Sequence, residues 1–565
     1  MNPQNACIVQ RDFTILLETA HPQSDQAREL IIPFAELVKS PPAFHTYKMT
    51  PLTLWSAAAL GYSAEEILER LESVSRWNVP ASLSQEVRGL IEKYGKLTLE
   101  PHDESGQFRL VSEDTELLTE IMSHKSLTAY QLCRLSNTEL QVLGEYRGLL
   151  KQDLTRLGYP VMDLAGYKHG SPLSFTWRDK MNSLDGKGSK TFGLRDYQKE
   201  AASAFEGKDG FGGSGVLVLP CGAGKTIVGM AVMEKLQSEV LILTSNTTSV
   251  RQWIREIEQK TTIPAESIGE YSGHNKEVKP VTVATYQIMT HRKSKDSEFT
   301  HMKLFGERSW GLIVYDEVHL LPAPVFRATA DIQATRRLGL TATLVREDGR
   351  EEDVFSLIGP KRYELPWKEL EQQGWIAEVD CKEVRVPMSD ELKEAYMYAE
   401  SRQKFRLASE NPAKNKVVKR LLALHPNVPA LIIGQYVGQL KAMAKELGVP
   451  LITGATSEQE RLRLFTAFRQ KEISTLVVSK VANFAVDLPD AALAIEVSGS
   501  FGSRQEEAQR LGRILRPKEG DNRAYFYTLV SEDSREQDFA LKRQLFLIEQ
   551  GYEYHVTGER EVASG

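Results

Sequence analysis

Side chains suited to holding and cleaving phosphate occur in two short stretches. In the first, an apolar run at 216–219 breaks at Pro220 into a small-residue loop. Lys225 and Thr226 then open an apolar-periodic segment through Leu236 that predicts a helix. Gly222 and Gly224, with Ala223 between them, let backbone N–H groups crowd around an anion. The helix start adds its positive end, and Lys225 supplies a full charge toward the outer phosphates. The Thr226 hydroxyl can reach a magnesium ion on those phosphates. The pattern G-x-x-x-x-G-K-[ST] is met only in shortened form, because Leu219 stands where its first glycine should be.

The second stretch is the apolar run 312–315 ending in Asp316-Glu317-Val318-His319. A strand that delivers two carboxylates at its carboxyl end brings them to the phosphate loop of a doubly wound sheet. Asp316 can hold magnesium, and Glu317 can orient and deprotonate an attacking water. A solvent-facing acidic pair is the plain alternative; Lys225 and Thr226 upstream argue against it.

Three weaker signals fit the same chemistry. Gln198, in the run that includes Arg195, precedes the phosphate loop and can use both sides of its amide on an adenine edge. Thr341 and Thr343, at the end of a further apolar run, can hydrogen-bond the carboxylate strand and relay nucleotide state; an ordinary strand-end turn is an equally good reading of these two residues in isolation. Within 503–517, Ser503 and Glu506 cap a predicted helix and Pro517 ends it. Arg510, Arg513 and Arg516 recur every third residue near one face of that helix. Such a face is either a solvated basic surface or a source of arginines for the transferring phosphate.

The elements that must position these residues are legible in outline. Short apolar runs at 240–243, 281–284 and 312–315, separated by helical patterns, predict a parallel sheet buried on both faces. Runs at 430–433, 451–452, 475–478 and 492–495, with a helix at 458–470, repeat that architecture without a phosphate loop. Ahead of the motor, Thr50-Pro51 opens a helix that Gly61 closes, Ser63 and Glu66 form a capping box, and Ser82 with Gln85 opens a third helix ending near Gly95. A strand at 96–100 follows, so this region reads as a small winged-helix-like or helical module; 139–157 reads as a helix. Gly170-Ser171-Pro172 and the polar run 185–190 predict a connector into the motor.

Composition sets the outer bounds. The 565 residues carry a net charge of −6, which excludes gripping nucleic acid by bulk positive charge and requires local basic surfaces. Four dispersed cysteines support neither a disulfide framework nor a zinc or iron–sulfur module. The sequence shows no signal peptide and no run of membrane-spanning length, so a cytoplasmic or nuclear protein without a membrane partner is expected.

In this order of motifs the chain resembles the XPB helicases, superfamily 2 ATPases of repair and transcription initiation, a class in which the shortened phosphate loop is common. The resemblance rests on 194–198, 219–226, 244–253, 285–287, 316–319, 340–343 and 509–517. Arg346-Glu347-Asp348 is similar to the family's Arg-Glu-Asp motif, and the tail from Tyr525 to Tyr552 to its C-terminal signature. Ala482-Asn483 stand where the family usually has Gly-Asp, while Asp487 is kept.

The resemblance implies an α/β fold: two RecA-like doubly wound parallel-sheet lobes preceded by smaller N-terminal α/β accessory domains. It implies an XPB-like N-terminal domain at 1–100, a damage-recognition-like domain and linker at 101–190, an ATP-binding lobe at 191–375, and a second lobe at 376–565 with a thumb-like insertion at about 389–424. ATP and Mg2+ are the implied cofactors, and 3′–5′ DNA unwinding or duplex translocation the implied activity.

Arg195, Gln198 and Asp487 would join the phosphate loop in binding nucleotide, with Arg513 and Arg516 as catalytic arginines. Thr341, Thr343, Arg346, Glu347, Asp348, Gln509 and Arg510 would couple nucleotide to DNA. Arg251, Thr285, Tyr286 and Gln287 would contact DNA, as would Lys416, Lys419 and Arg420, which share one face of a predicted helix; the basic run that begins at Lys414 is otherwise a solvated helix face. The absence of long acidic or Lys-rich extensions favours a compact prokaryotic, cytoplasmic form. Two other readings stay open: an ATP-gated DNA-binding scaffold, and the motor subunit of a restriction system with a separately encoded nuclease as partner.

Overall fold

Continuous apolar runs become sheet interiors in both halves of the chain. The structure is a computed structural model that describes residues 4–39, 43–102, 104, 106–178, 180–182, 189–206, 213–220, 222–273, 275–292, 299–333, 335–342, 351–479, 491–499, 522–549, 552 and 554–559. It divides into two compact units, Met1–Glu36 with Pro42–Leu219 and Gly224–Leu365, and Leu37–Pro41 with Pro220–Ala223 and Pro366–Gly565. Among the described residues no helix is long and apolar enough to cross a membrane.

The first unit holds a seven-stranded sheet in the order Ile268–Tyr271, Val281–Thr285, Val240–Thr244, Leu312–Asp316, Arg336–Thr341, Ser214–Val218, Lys361–Glu364. Every neighbouring pair is parallel. Strands Ser214–Val218, Val240–Thr244 and Val281–Thr285 are buried at every position, as sheets covered on both faces require. One face of the core gathers Val216, Leu241, Ile313, Tyr315, Phe326 and Leu357. The strand carrying Asp316 sits two places from the phosphate-loop strand, and the ends of both strands meet the helix starts that follow them.

Ahead of this sheet the chain differs from the expected helical module. Strands Cys7–Val9, Thr14–Glu18 and Phe44–Lys48 pair antiparallel. Helices Pro51–Ala59 and Ala64–Val74 begin as expected, with reciprocal caps at Thr50/Thr53 and Ser63/Glu66. The third helix, Ala81–Lys93, starts after Pro80, so Ser82 lies inside it and is no cap; the fixed φ of Pro80 sets the entry instead.

Residues 139–157 are not one helix. Glu139–Leu143 is a strand, and the helix proper is Arg147–Arg156. The strand pairs antiparallel with Gln107–Val111, burying Leu140 and Val142 alternately, a period-2 pattern too short to separate from a helical one by sequence. A five-stranded sheet in the order Cys133–Arg134, Glu139–Leu143, Gln107–Val111, Leu97–Pro101, Val161–Asp163 results, and the expected division after residue 100 passes through it.

The second unit holds another seven-stranded parallel sheet, in the order Leu451–Ile452, Thr475–Ser479, Ala430–Gly434, Leu493–Glu496, Arg523–Ser531, Glu378–Val386, Tyr554–Gly558. The nine-residue strand Glu378–Val386 has no counterpart in the sequence reading, because its alternating Lys, Glu and Arg mask it. Helices Asp390–Tyr398, Ser401–Ser409 and Lys414–Leu424 fill the expected insertion. The last is part of the core rather than an appendage: Val417, Val418 and Leu421 pack with Val384, Ile432 and Leu529.

Candidate active site

The phosphate-loop strand ends at Val218, and the helix Lys225–Leu236 begins after Gly224. Gly222 and Gly224 have φ of 86° and 77°, left-handed values that a residue with Cβ adopts only at a cost. A Cβ on Gly224 would also stand 2.9 Å from the Gln198 Nε2, so the loop passes hard against the predicted base-recognition residue. Gln198 is buried, and its Oε1 accepts the Arg195 N–H at 3.0 Å, which occupies the acceptor side of the amide with its own turn. The Arg195 guanidinium donates to the Tyr197 hydroxyl at 3.0 Å.

Across the loop, Lys225 Nζ lies 3.3 Å from Glu317 Oε1. The pair is only partly covered, with side-chain exposures of 12% and 18%, so each member can exchange its partner for a ligand. Glu317 itself has φ 53° and ψ 54°, a left-handed backbone that costs a non-glycine residue roughly 1–2 kcal/mol. The turn follows Asp316 directly, and beyond it the Glu317 side chain meets Lys225 while the Asp316 side chain meets Trp253. Strain held at such a point is a signature of function.

The two carboxylates are held in different states. Burial first, and then the neighbouring Glu317 charge, push the Asp316 carboxyl up to about 6, while Trp253 and Lys225 pull against them. Burial also raises Glu317, but the Lys225 and His319 charges and the Lys225 hydrogen bond outweigh it and hold that carboxyl below the usual range. Environments that push adjacent groups apart assign them different tasks. Asp316 suits a ligand whose ionisation a cation would restore; Glu317 is an ionised base.

Two supporting residues were not assigned roles from sequence. Trp253 Nε1 donates to Asp316 Oδ2 at 2.9 Å. Its ring lies so close to the phosphate-loop helix that a Cβ on Gly229 would come within 2.6 Å of it. A buried indole N–H needs an acceptor, but the acceptor's identity emerges only in the fold. His319 Nδ1 is 2.7 Å from the Thr341 Oγ1 and 3.7 Å from Glu317 Oε2. The Thr341 carbonyl in turn accepts the Leu219 N–H at 2.9 Å. Thr341 therefore connects the carboxylate turn to the strand end before the phosphate loop, and the expectation that its hydroxyl bonds to the carboxylate stretch meets its partner in His319.

Other expected residues are placed differently. Thr285 and Tyr286 are buried rather than presented to nucleic acid. The Thr285 hydroxyl caps the short helix Tyr286–Met289, and the Tyr286 hydroxyl donates to the Asp316 carbonyl at 2.9 Å. Of that trio only Gln287 is exposed, as is Arg251 on the helix Thr247–Lys260. Lys416, Lys419 and Arg420 are exposed on one helix, but Lys419 pairs with Glu446 at 2.7 Å and Arg420 with Glu559 at 2.9 Å. Thr343, Arg346, Glu347, Asp348, Asp487, Gln509, Arg510, Arg513 and Arg516 lie outside the described residues.

The donors fit the implied groups. A cradle that a Cβ would fill, a lysine at the helix start and hard oxygen ligands from Thr226 and Asp316 suit a nucleotide phosphate with magnesium.

Comparison with known proteins gives the family of the chain. Over 558 residues the chain is 51% identical to a DNA 3′-5′ helicase XPB of Kineococcus radiotolerans, covering 99% of this chain and 97% of that one. The chain belongs to the XPB helicase family. It is also 50% identical to the DNA 3′-5′ helicase XPB of Mycobacterium tuberculosis over 97% of this chain and 96% of the relative. It is 32% identical to the general transcription and DNA repair factor IIH helicase/translocase subunit XPB/SSL2 of Saccharomyces cerevisiae, covering 96% of this chain and 71% of that one. Residues 370–564 match the family described as ERCC3/RAD25/XPB C-terminal helicase, and 7–136 match one described as helicase conserved C-terminal domain. Residues 191–346 match the type III restriction enzyme, res subunit.

Proposed function

We propose that this protein is an ATP-dependent 3′–5′ DNA helicase or double-stranded DNA translocase of the XPB type, acting in repair or transcription-linked DNA opening. The observation that carries the reading is the Lys225–Glu317 contact beside the separately tuned Asp316, in a chain that belongs to this family. Lys225 exchanges Glu317 for the outer phosphates of ATP. Glu317, released from that contact, takes the proton of the attacking water. Thr226 and Asp316 would hold Mg2+, which when bound neutralises phosphate charge.

Gln198 and Arg195 serve the base end, and Asp487 completes nucleotide binding. Arg513 and Arg516 stabilise charge on the transferring phosphate. Thr341 and Thr343, with Arg346, Glu347, Asp348, Gln509 and Arg510, pass nucleotide state on to DNA. His319 joins them on the strength of its bond to Thr341. Arg251, Gln287 and Lys416 are the proposed backbone contacts, sequence-independent in kind. The two lobes 191–375 and 376–565, preceded by accessory domains whose boundary falls before the sheet that begins at Leu97, remain our division of labour, with a cytoplasmic location and a separately encoded nuclease as the candidate protein partner.

A triplex-displacement assay on duplex DNA tests the activity, because it reports movement without requiring strand separation. ATP-dependent displacement is expected. DNA-stimulated hydrolysis without displacement would replace the motor by the ATP-gated scaffold.

A further inference from the structure

The first part of the expected connector, residues 167–178, is bonded to the first unit's parallel sheet rather than loose. The Tyr167 hydroxyl donates to Ser214 Oγ at 2.8 Å, and the Arg336 guanidinium donates to the Lys168 carbonyl at 2.9 Å. The Ser171 N–H donates to the Ser309 carbonyl and the Ser171 carbonyl accepts the Glu239 N–H, each at 2.8 Å. A Cβ on Gly170 would stand 2.2 Å from the Gly311 nitrogen, so the two backbones meet with nothing between them. Ser214 and Arg336 begin their strands, while Gly311 and Glu239 immediately precede Leu312–Asp316 and Val240–Thr244. The connector thus crosses four central strands in the order in which they lie in the sheet, along the edge opposite the phosphate loop and the acidic pair.

It then reaches the far end of the phosphate-loop helix Lys225–Leu236. Gln237 caps that end, and its carbonyl accepts the Leu173 N–H at 2.9 Å. Its side chain clasps the Phe175 main chain: Oε1 accepts the Phe175 N–H and Nε2 donates to the Phe175 carbonyl, each at 2.9 Å. Nε2 also donates to the Glu234 carbonyl at 2.6 Å, which ties the last helical turn to the same amide. Gln237 has φ 47°, a left-handed value at which glycine is the usual residue of a helix end. The strain is borne by the residue whose side chain makes the clasp. Phe175 is buried, and beyond it the Thr176 N–H donates to Thr262 Oγ1 at 2.9 Å, just past the helix Thr247–Lys260 that carries Trp253.

We infer that Gln237 is a positioning residue for ATP hydrolysis, through which the connector fixes the phosphate-loop helix along its axis. This rests on the proposed role of Lys225 and Thr226. The strands of the sheet are held in register by paired backbone bonds. The helix is buried at every position from Ile227 to Met233, and apolar contact is non-directional, so packing sets its distance from the sheet better than its place along its own axis. The directed bonds at Gln237 supply that restraint. A helix of 12 residues is a rod about 18 Å long, so a displacement at Gln237 arrives at Lys225. A misplacement of about 1 Å at a phosphate-binding group costs about 10²-fold in rate.

The test is DNA-stimulated ATPase of the full chain. Gln237→Gly and Gln237→Ala both remove the clasp, but glycine relieves the left-handed strain and alanine keeps it, so the glycine variant should melt higher. Both should nevertheless lower kcat/KM for ATP by the same factor, roughly 10- to 100-fold. Pro172 and Ser238 face each other in an isolated antiparallel bridge, a geometry that suits a disulfide. Pro172→Cys with Ser238→Cys, added to Gln237→Gly with the exposed Cys133 changed to serine, should restore kcat/KM when oxidised and lose it again on reduction, measured against the Cys133→Ser protein under the same conditions. A kcat/KM that follows melting temperature, a parent value in either Gln237 variant, or no recovery once the disulfide has formed overturns the proposal. Binding of ATP with Mg2+ to Lys225→Ala is measured alongside. Parent affinity there would sink the phosphate-loop reading and the positioning role with it; weakened binding there, with Gln237 variants at parent kcat/KM, sinks the positioning role alone.

Discussion

Two lysine–glutamate pairs lie in the two units of this molecule and behave oppositely. In the first unit Lys225 and Glu317 are 3.3 Å apart, partly covered, and Glu317 stands on a strained left-handed turn. In the second unit Lys414 and Glu536 are 2.9 Å apart, buried, and bonded further to the Val497 carbonyl and the Ser531 N–H. On the proposed function the first pair opens, Lys225 to a phosphate and Glu317 to a water proton. The second has spent its bonding capacity on backbone and can be broken only at the full cost of exposing a buried charge. Identical residue types thus make an exchangeable contact or a fixed one, according to what else surrounds them.

The sharpest way to break this comparison is at Glu317. Glu317→Gln should lower turnover roughly 10²- to 10⁴-fold while sparing ATP binding, since the amide keeps the shape but takes no proton. Parent-rate hydrolysis on saturating DNA would remove Glu317 from the base role. Stability should change less than on breaking the Lys414–Glu536 pair, because the amide keeps the side chain's shape and the Lys225 contact is not fully buried.

The fixed pair should respond in the opposite sense. Lys414→Met alone leaves Glu536 charged and buried and should cost about 3–5 kcal/mol of unfolding free energy. Lys225→Met should cost less than that, because its pair is not fully buried, while weakening nucleotide binding. Chemical denaturation of the two variants side by side decides; equal losses would erase the distinction drawn above.

Asp316 sharpens it through pH. Its carboxyl is raised in the folded chain to about 6, so the fold favours the protonated form. Stability is then greatest below the unfolded value near 4 and is lost as pH rises through about 6. Asp316→Asn removes that cost and keeps an acceptor for the Trp253 N–H. Without nucleotide the variant should be more stable than the parent above pH 6 by about 2–3 kcal/mol, the gap closing as pH falls toward 4. A gap independent of pH would mean that the Asp316 charge is not its source. Magnesium-supported hydrolysis by the parent should fall in the same acidic window.

The smallest expected effect separates exposed cations on the helix Lys414–Leu424. Lys416→Gln should lower the salt slope of log DNA affinity by about 0.7–0.9. Lys419→Gln should lower it less, because Lys419 must first leave Glu446. Slopes unchanged in both variants would take this helix off the DNA path.

What could be read without a fold was whatever local chemistry dictates. The phosphate loop, the acidic strand end, the caps at Thr50 and Ser63 and the uniformly apolar strands depend on neighbours in sequence, and they stand where expected. Three kinds of feature did not. Glu378–Val386 and Glu139–Leu143 carry polar alternation that a helix or loop could equally bear, and only pairing across the sheet settles them. Tyr286 resembles a surface contact by motif, yet its hydroxyl is taken up by the Asp316 carbonyl. Lys414 reads as one of a run of basic residues along a solvated helix.

The sequence by itself determined which residue types can hold a phosphate and which strands carry them, because a glycine-rich turn before Lys-Thr and a strand ending in Asp-Glu act through local backbone geometry. Tertiary structure alone decided which lysine sits in a partly covered contact and which in a fully buried one. That choice depends on desolvation and on hydrogen-bond partners distant in sequence, Glu317 for Lys225 and Glu536 with Val497 for Lys414.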